Sequence, residues 1–227
     1  MRQITKNTMY GEITFPANDY IASKCDTHKW YHGKNCHTTD MISKINSMIK
    51  SDSTFVDVGA FVGTFSIPLL EAGHCGFMFE ACKDFYNMLS INTRKYDKAT
   101  SYNNAVGNKN ISIGMSVENG NFGGSHITKG NEIKMITLDS FFTNSSVNQI
   151  DFIKIDVESY EYYVLQGAVA TISRFKPIIL WENLKPNWND TSLDAELGKK
   201  ENCFEFLQNL GYNRHQDISN NILSFIE

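Results

Sequence analysis

The sequence predicts an α/β fold built on a doubly wound, mostly parallel sheet that closes with an antiparallel C-terminal strand. Three observations predict it. Apolar runs of strand length alternate with amphipathic runs of helix length from residue 54 to residue 182, which calls for parallel strands covered on both faces. The segment FVDVGAFVGTFS, residues 55–66, carries a hydrophobic strand through a glycine-marked turn into a helix. IDFIKIDV, residues 150–157, is apolar enough for a strand buried on both faces. Together they describe a Rossmann-like chain.

The elements follow in order. Residues 1–37 hold alternating and aromatic pieces broken by Gly11, Pro16 and Gly33, which suggests a short hairpin and loops acting as a lid and not as core. Thr38, Thr39 and Asp40 are good N-caps for a helix whose apolar face is Met41, Ile42, Ile45, Met48 and Ile49. Residues 1–50 are thus read as a hairpin, lid and helix packed on the core, and 51–227 as the main unit of a single domain. Strand Thr54 to Val58 leads to a helix from about Val62, and strand Gly76 to Glu80 to a helix over Phe85 to Tyr96. Further strands are expected at Thr100 to Val106, Ile111 to Val117 and Glu132 to Thr137, with a glycine-rich loop at Gly120 to Gly124. After the strand at 150–157, Tyr160 to Phe175 reads as one amphipathic helix, and Pro177 starts a strand over Ile178 to Trp181. A helix from Leu193 to Leu210 ends at Gly211, a natural C-cap, and the tail reads as strands Tyr212 to Asp217 and Ile222 to Ile226.

Composition excludes several classes. With 21 Lys and Arg against 25 Asp and Glu the net charge is −4, so no basic field concentrates a polyanion, and a nucleic-acid partner is not expected. Five scattered cysteines are an odd number and no disulfide framework, which points to a reducing, cytoplasmic compartment. The first residues carry no apolar run, and no stretch approaches the roughly 18 apolar residues of a membrane span. No membrane partner is expected.

The chemistry concentrates at the strand ends. In residues 55–66 Asp57 precedes a turn through Gly59, Ala60, Phe61, Gly63 and Thr64; glycines allow positive φ and close backbone approach to a ligand, and the exposed N–H groups favour an electron-rich group. The spacing departs from the G-x-G-x-x-G dinucleotide fingerprint. D-x-G-x-x-x-G is the pattern of methyltransferases that bind the methionine end of S-adenosylmethionine, with NAD, a phosphate or plain packing as the alternatives for a glycine turn taken alone. About twenty residues further on, FMFEACKDF places Glu80 and Ala81 at a strand end, where an acid accepts ribose hydroxyls. Asn103, Asn104 and Ala105 end the next strand, beside an adenine, although turn-forming asparagines explain them as well. Lys154, Asp156 and Glu158 lie along and beyond the strand at 150–157, with Glu182 ending the following one. Ligands bind outside the carboxyl ends of parallel strands, so these acids face the reacting centre. A hydroxyl acceptor needs a group to take its proton, and Asp156 is the first choice. Lys154 either pairs with Glu182 or Asp156 or extends to solvent.

On these residues the chain resembles the FkbM family of methyltransferases. The matching segments are VDVGAFVG, MFEACKDFYNML, NAVGN, ITLDSFF, IDFIKIDVESYEYYVLQGA and PIILWEN, in order over residues 53–183, with a looser match to LQNLGY at 207–212. The resemblance implies a class I methyltransferase fold, S-adenosylmethionine as cofactor, and O-methylation, frequently of sugars or polyketide hydroxyls. Two departures stand out. Ser159 replaces the usual glycine after D-V-E, and Phe61 replaces the asparagine of the GAN-x-G motif.

Other candidates are weighed against that reading. Cys25, His28, His32, Cys36 and His37 lack the paired C-x-x-C spacing of a zinc knuckle, and the segment reads instead as a lid lending Trp30, Tyr31 or His32 to an acceptor pocket. His126, in the glycine-rich loop region, is an alternative base to Asp156. A divalent Mg or Mn ion on Asp156, Glu182 and a third ligand is a second reading, not the favoured one. The acceptor is expected to be a sugar or glycan hydroxyl, with a non-sugar small molecule, its oxygen or nitrogen methylated, as runner-up. A nicotinamide dehydrogenase lacks its Tyr-x-x-x-Lys here, and a non-catalytic cofactor-binding module is the alternative from another class. The edge at residues 111–117 and the aromatic N-terminal segment each offer a homodimer contact.

Overall fold

A computed structural model describes residues 1–25, 32–33, 36–117, 122, 125–183, 203–218 and 221–227, with the backbone alone at 32–33 and 36–38. The chain opens with the hairpin β1 (Gln3–Thr8) and β2 (Gly11–Pro16), then α1 (Tyr20–Lys24), the short pair β3 (His32–Gly33) and β4 (Cys36–His37), and α2 (Thr38–Met48). The main unit follows as β5 (Thr54–Val58), α3 (Ser66–Glu71), β6 (Cys75–Phe79), α4 (Lys83–Thr93) and β7 (Ala99–Tyr102). Next come β8 (Ala105–Val106), β9 (Ile111–Ser116), β10 (His126–Ile136), α5 (Leu138–Phe142), β11 (Phe152–Ile155), α6 (Glu161–Gln166), α7 (Val169–Phe175) and β12 (Ile178–Glu182). Beyond residue 202 lie α8 (Cys203–Asn209), β13 (Arg214–Ile218) and β14 (Asn221–Phe225).

The central sheet runs β13-β14-β12-β11-β5-β6-β7. β5, β6, β7, β11 and β12 pair in parallel, and β14 enters antiparallel beside β12, as the alternating pattern and the two tail strands require. After β7 the chain crosses β5 to form β11, so strand order reverses between β5 and β11. That reversal opens a crevice at the carboxyl ends of the two strands.

Alternation along each strand assigns the two faces. Val56, Val58, Ile153, Ile155, Ile179 and Trp181 pack under α5–α8, whereas Phe55, Phe152 and Leu180 pack under α2 and α3. Both faces are therefore covered, as parallel strands need. The hairpin joins the core instead of standing over it: Ile13 and Phe15 alternate onto one face and are fully buried against Phe61, Val62, Phe85 and Met88. The Asn92 amide clamps it, accepting from Thr14 N–H at 2.8 Å and donating to the carbonyls of Thr14 and Val62 at 2.9 Å each.

Several boundaries differ from the sequence expectation. The helix after the glycine turn begins at Ser66 and not near Val62, because Phe61 (φ +51°) and Gly63 (φ +94°) hold left-handed backbone that no α-helix accommodates. Thr100 to Val106 splits in two: β7 stays in the main sheet, whereas β8 pairs with β10 in a separate three-stranded sheet, β8-β10-β9. β10 starts at His126, six positions before the expected Glu132, and a register shift lies between Thr128 and Ile133. The helix expected over Tyr160 to Phe175 breaks at Gly167. The Gly167 carbonyl accepts from Asp139 N–H at 2.9 Å, and a Cβ there would sit 1.9 Å from the Gly107 carbonyl oxygen. The Asp139 carboxylate then receives the Ala170 and Thr171 N–H groups, starting α7. Of the helix expected over Leu193 to Leu210, the described part is α8, ended by Gly211 at φ +91°. No helix among the described residues is long and apolar enough to cross a membrane.

Candidate active site

The crevice at the β5–β11 switch point is lined by most of the residues singled out from sequence: Gly59, Phe61, Thr64, Glu80, Ala81, Asn104, Ala105, His126, Lys154, Asp156 and Glu158. The turn after β5 forms its base. Gly59 and Ala60 N–H both donate to the Phe79 carbonyl at 3.0 Å, tying the turn to β6. Gly59 has φ +79°, and a Cβ on it would lie 1.9 Å from the Asp156 carbonyl oxygen, so only glycine lets the loops after β5 and β11 meet.

Three other members of the glycine motif stand behind the crevice wall. Ala60 is buried, and Gly63 packs against Ile67 and Leu89. Asp57 is fully buried; its Oδ2 accepts from Ser66 Oγ at 2.5 Å and its Oδ1 pairs with Lys154 Nζ at 3.2 Å. This carboxylate anchors the start of α3 and a cation, which explains an acid in the strand better than direct ligand contact does.

Glu80 is 5% exposed. Its Oε2 accepts from Phe61 N–H at 2.8 Å and its Oε1 from Cys82 N–H at 2.7 Å, so the backbone at Phe61 makes a polar contact although the asparagine side chain is absent. The Phe61 ring meets Phe85 edge-on with centroids 4.9 Å apart. Burial pushes the Glu80 carboxyl up to about 7, against the N–H bonds and the Lys154 charge that pull it down. Asn103 donates to the Glu80 and Ala81 carbonyls at 2.9 Å each and so shapes the strand end, while the Asn104 amide donates to the Lys134 carbonyl at 3.2 Å.

Lys154 resolves in favour of pairing. It stands opposite Asp57 in the β11–β5 register, on the same sheet face, and its ammonium reaches Asp57 and Asp156 at 3.2 Å each and the Gly59 carbonyl at 2.9 Å. Burial works against its charge, but Asp156 and Asp57 more than offset this and hold its pKa above the ordinary value.

Asp156 is the exposed member, with 38% of its side chain accessible. One oxygen each of Asp156, Glu158 and Glu182 lies within 4.8 Å of the others. Burial, then the charges of Asp156, Glu158 and Glu161, push the Glu182 pKa above the ordinary carboxylate range. Glu158 (φ +54°) and Ser159 (φ +75°) are consecutive left-handed residues in the turn out of β11. Replacing Ser159 with Gly removes a steric cost of about 1 kcal/mol, partly offset by a more flexible unfolded chain. The expected outcome is a rise in melting temperature of about 1–3 °C by calorimetry, and a fall means another contact holds Ser159.

His126 begins β10, paired in register with Ser116, and is not in a loop. Of the Cys/His segment, Cys25 is buried, and the side chains of His28, Trp30, Tyr31, His32, Cys36 and His37 lie outside the described residues. The sequence reading missed the apolar wall of Ile21, Phe85, Met115, Phe122 and Ile127, which comes from segments distant in the chain. A hydrophobic residue that lines a crevice has the same local pattern as one in the core.

The donor set suits S-adenosylmethionine: a glycine cradle that a Cβ would fill, a buried acid at the next strand end, and an apolar wall for a ring. The fold is shared with solved structures. Methyltransferase FkbM from Methylobacillus flagellatus KT is 19% identical, with TM-score 0.52 over 79% of this chain and 45% of that one, so the chain spans less than half of that protein. A putative rRNA-methylase from Clostridium thermocellum is 12% identical, with TM-score 0.51 over 86% of this chain and 98% of the other. Monomeric WbdD is 8% identical, with TM-score 0.50 over 86% and 42%. No curated protein matches the sequence. The family model of the methyltransferase FkbM domain matches residues 57–214, more than half of the chain and all five parallel strands of the central sheet apart from the first residues of β5. The chain therefore belongs to the family of the methyltransferase FkbM domain.

Proposed function

We propose that this chain is an S-adenosylmethionine-dependent methyltransferase that acts on a hydroxyl oxygen of a sugar or glycan, with Asp156 accepting the hydroxyl proton. The observation that carries the reading is a gathering of carboxylates beside the glycine cradle: Asp156 and Glu158 line the crevice, and Glu182 comes within 4.8 Å of both. Carboxylates accept hydrogen bonds from neighbouring hydroxyls of a polyol, and they repel the phosphates of a nucleic acid. When bound, S-adenosylmethionine supplies an electrophilic methyl group on a sulfonium. Asp156 is exposed enough to reach an acceptor oxygen, and its pairing with Lys154 fixes its direction. His126, on the same crevice, is the alternative base. Glu80 accepts the ribose hydroxyls, with Ala81, Asn104 and Ala105 beside the adenine and Gly59, Phe61 and Thr64 around the methionine end. Asp57, Ala60 and Gly63 act from behind, through the shape of the turn.

The test is formation of S-adenosylhomocysteine across a panel of monosaccharides, nucleotide sugars and oligosaccharides, with product mass checked for one added methyl. Turnover on a sugar supports the reading; cofactor binding with no carbohydrate methylated sinks it, and leaves a non-sugar hydroxyl or amine. A second reading puts Mg or Mn on Asp156, Glu158 and Glu182, favoured by three oxygens within 4.8 Å. Turnover abolished by EDTA and restored by either ion moves that reading to first place.

Glu80 makes cofactor binding pH-dependent. Only the ionised carboxylate accepts hydrogen bonds at both oxygens, and its pKa stands at about 7. Affinity is expected to weaken as pH falls below 7, approaching about tenfold per unit, and to level off above 8. The stability of the ligand-free protein runs the other way. A carboxyl raised from 4.5 to about 7 binds its proton more tightly when folded, so its contribution is full below 4.5 and lost as pH rises through 7. Calorimetric titration with S-adenosylhomocysteine from pH 5.5 to 8.5 checks the first statement; an affinity flat across that range overturns it.

A further inference from the structure

In the turn that carries Asp156 out of β11, two consecutive residues with side chains, Glu158 and Ser159, are left-handed. Such a turn needs an external restraint to keep one shape. Glu161 supplies a carboxylate at that place. It is 6% exposed, and among the described residues no lysine or arginine forms a salt bridge with it, which is unusual for a buried acid. Burial pushes its carboxyl up to about 7, and the charge of Asp156 adds to that rise. Its partners are backbone donors of the turn: Oε1 accepts from Val157 N–H at 3.0 Å, and the N–H groups of Val157, Glu161 itself and Ser159 all favour the charged form.

We infer that Glu161 is a positioning residue for methyl transfer: its carboxylate gathers the N–H groups of the 157–161 turn and thereby holds Asp156 and Glu158 at the crevice mouth. This rests on the reading of Asp156 as proton acceptor. Glu161 does not line the crevice and acts only through the residues that do. Asp156 is held from two sides, by Lys154 at its side chain and by the Glu161-bound turn at the next residue. An acceptor oxygen must sit in line with a transferring methyl, and small misplacements of the base are expensive there.

Three measurements on the full chain test it, using Glu161→Ala and the milder Glu161→Gln. The first is hydrogen exchange of the Val157–Ser159 amides, which needs no acceptor: Glu161→Ala is expected to accelerate it by about tenfold or more, with core amides of β5 unchanged. The second is turnover on the best sugar of the panel against cofactor affinity: turnover falls by about 10–100-fold while the dissociation constant moves by less than about threefold, and Glu161→Gln, which keeps one acceptor oxygen, lies between. The third is coupling. Ser159→Gly, which relaxes the left-handed turn, restores part of the activity of Glu161→Ala, and adding Glu161→Ala to Asp156→Asn costs little more than Asp156→Asn alone. Unchanged exchange, turnover that survives a loosened turn, or cofactor affinity lost in step with turnover each overturn the inference. Failure of the underlying reading is separate: it shows as full turnover in Asp156→Asn, whatever the exchange data say.

Discussion

Asp156→Asn is expected to lower turnover by about 10²–10⁴-fold, the range that a positioned proton acceptor contributes, while leaving cofactor affinity within a few-fold. The amide is the same size as the carboxylate, so the crevice keeps its shape. Lys154 keeps Asp57 at 3.2 Å and the Gly59 carbonyl at 2.9 Å, and the glycine cradle stays anchored. What disappears is the group able to take the hydroxyl proton. Initial rates of S-adenosylhomocysteine formation, set beside its calorimetric binding constant, separate the two quantities. Turnover retained in Asp156→Asn transfers the role to His126, and His126→Gln then carries the loss. Turnover and binding lost together mean that the side chain is needed for structure.

Gly59→Ala is expected to abolish cofactor binding and to destabilise the fold by more than any other single methyl addition at a left-handed glycine. Its Cβ would lie 1.9 Å from the Asp156 carbonyl oxygen, far inside contact distance, and that oxygen is backbone held by the β5–β11 ladder. The loops must separate, which breaks the Lys154 bond to Gly59 and removes the close backbone approach that a ligand uses. Gly73→Ala is the matched control. Gly73 has φ +91° but nothing within 4 Å of its Cβ position, so it loses only the conformational term, about 1–2 kcal/mol. Denaturant unfolding of both variants and titration with S-adenosylhomocysteine decide the matter. Equal destabilisation, with binding kept by Gly59→Ala, means the loops have room to adjust and the close approach is not what selects glycine.

Motifs that depend on short stretches were legible before any coordinates. Gly59 and Gly63 mark a turn because few other residues tolerate positive φ, and Glu80 falls at a strand end because a parallel strand is short and its apolar run visibly stops. The extent of Asp156 and Glu158 beyond β11 follows in the same way. For Lys154, an oddity in an apolar strand, the sequence left pairing with Glu182 or Asp156 and extension to solvent equally open, and its buried partner Asp57 was not among the candidates. Other features had no local signature. Asn92 reaches Thr14 across 78 positions and looks in sequence like any polar residue on a helix. The break at Gly167 depends on its contact with Gly107, sixty residues earlier in the chain, while an amphipathic pattern runs unbroken through it. Glu161 reads as an ordinary acid in the first turn of a helix until the fold turns it inward.

By itself the sequence determined the layered α/β architecture, the parallel core strands and the places where the glycine turn and the acidic strand ends occur. These follow from periodicity, chain length between elements and backbone conformational preference, all of which act over a few residues. Only the tertiary structure decided which carboxylate holds Lys154, that residues 1–25 build into the core, and that Asp57 stands behind the crevice while Asp156 faces it. Those outcomes depend on register between strands: Lys154 meets Asp57 because β11 and β5 align Phe152 with Phe55. Register is set by the packing of the whole sheet against its helices, a many-body fit that no single stretch of sequence contains.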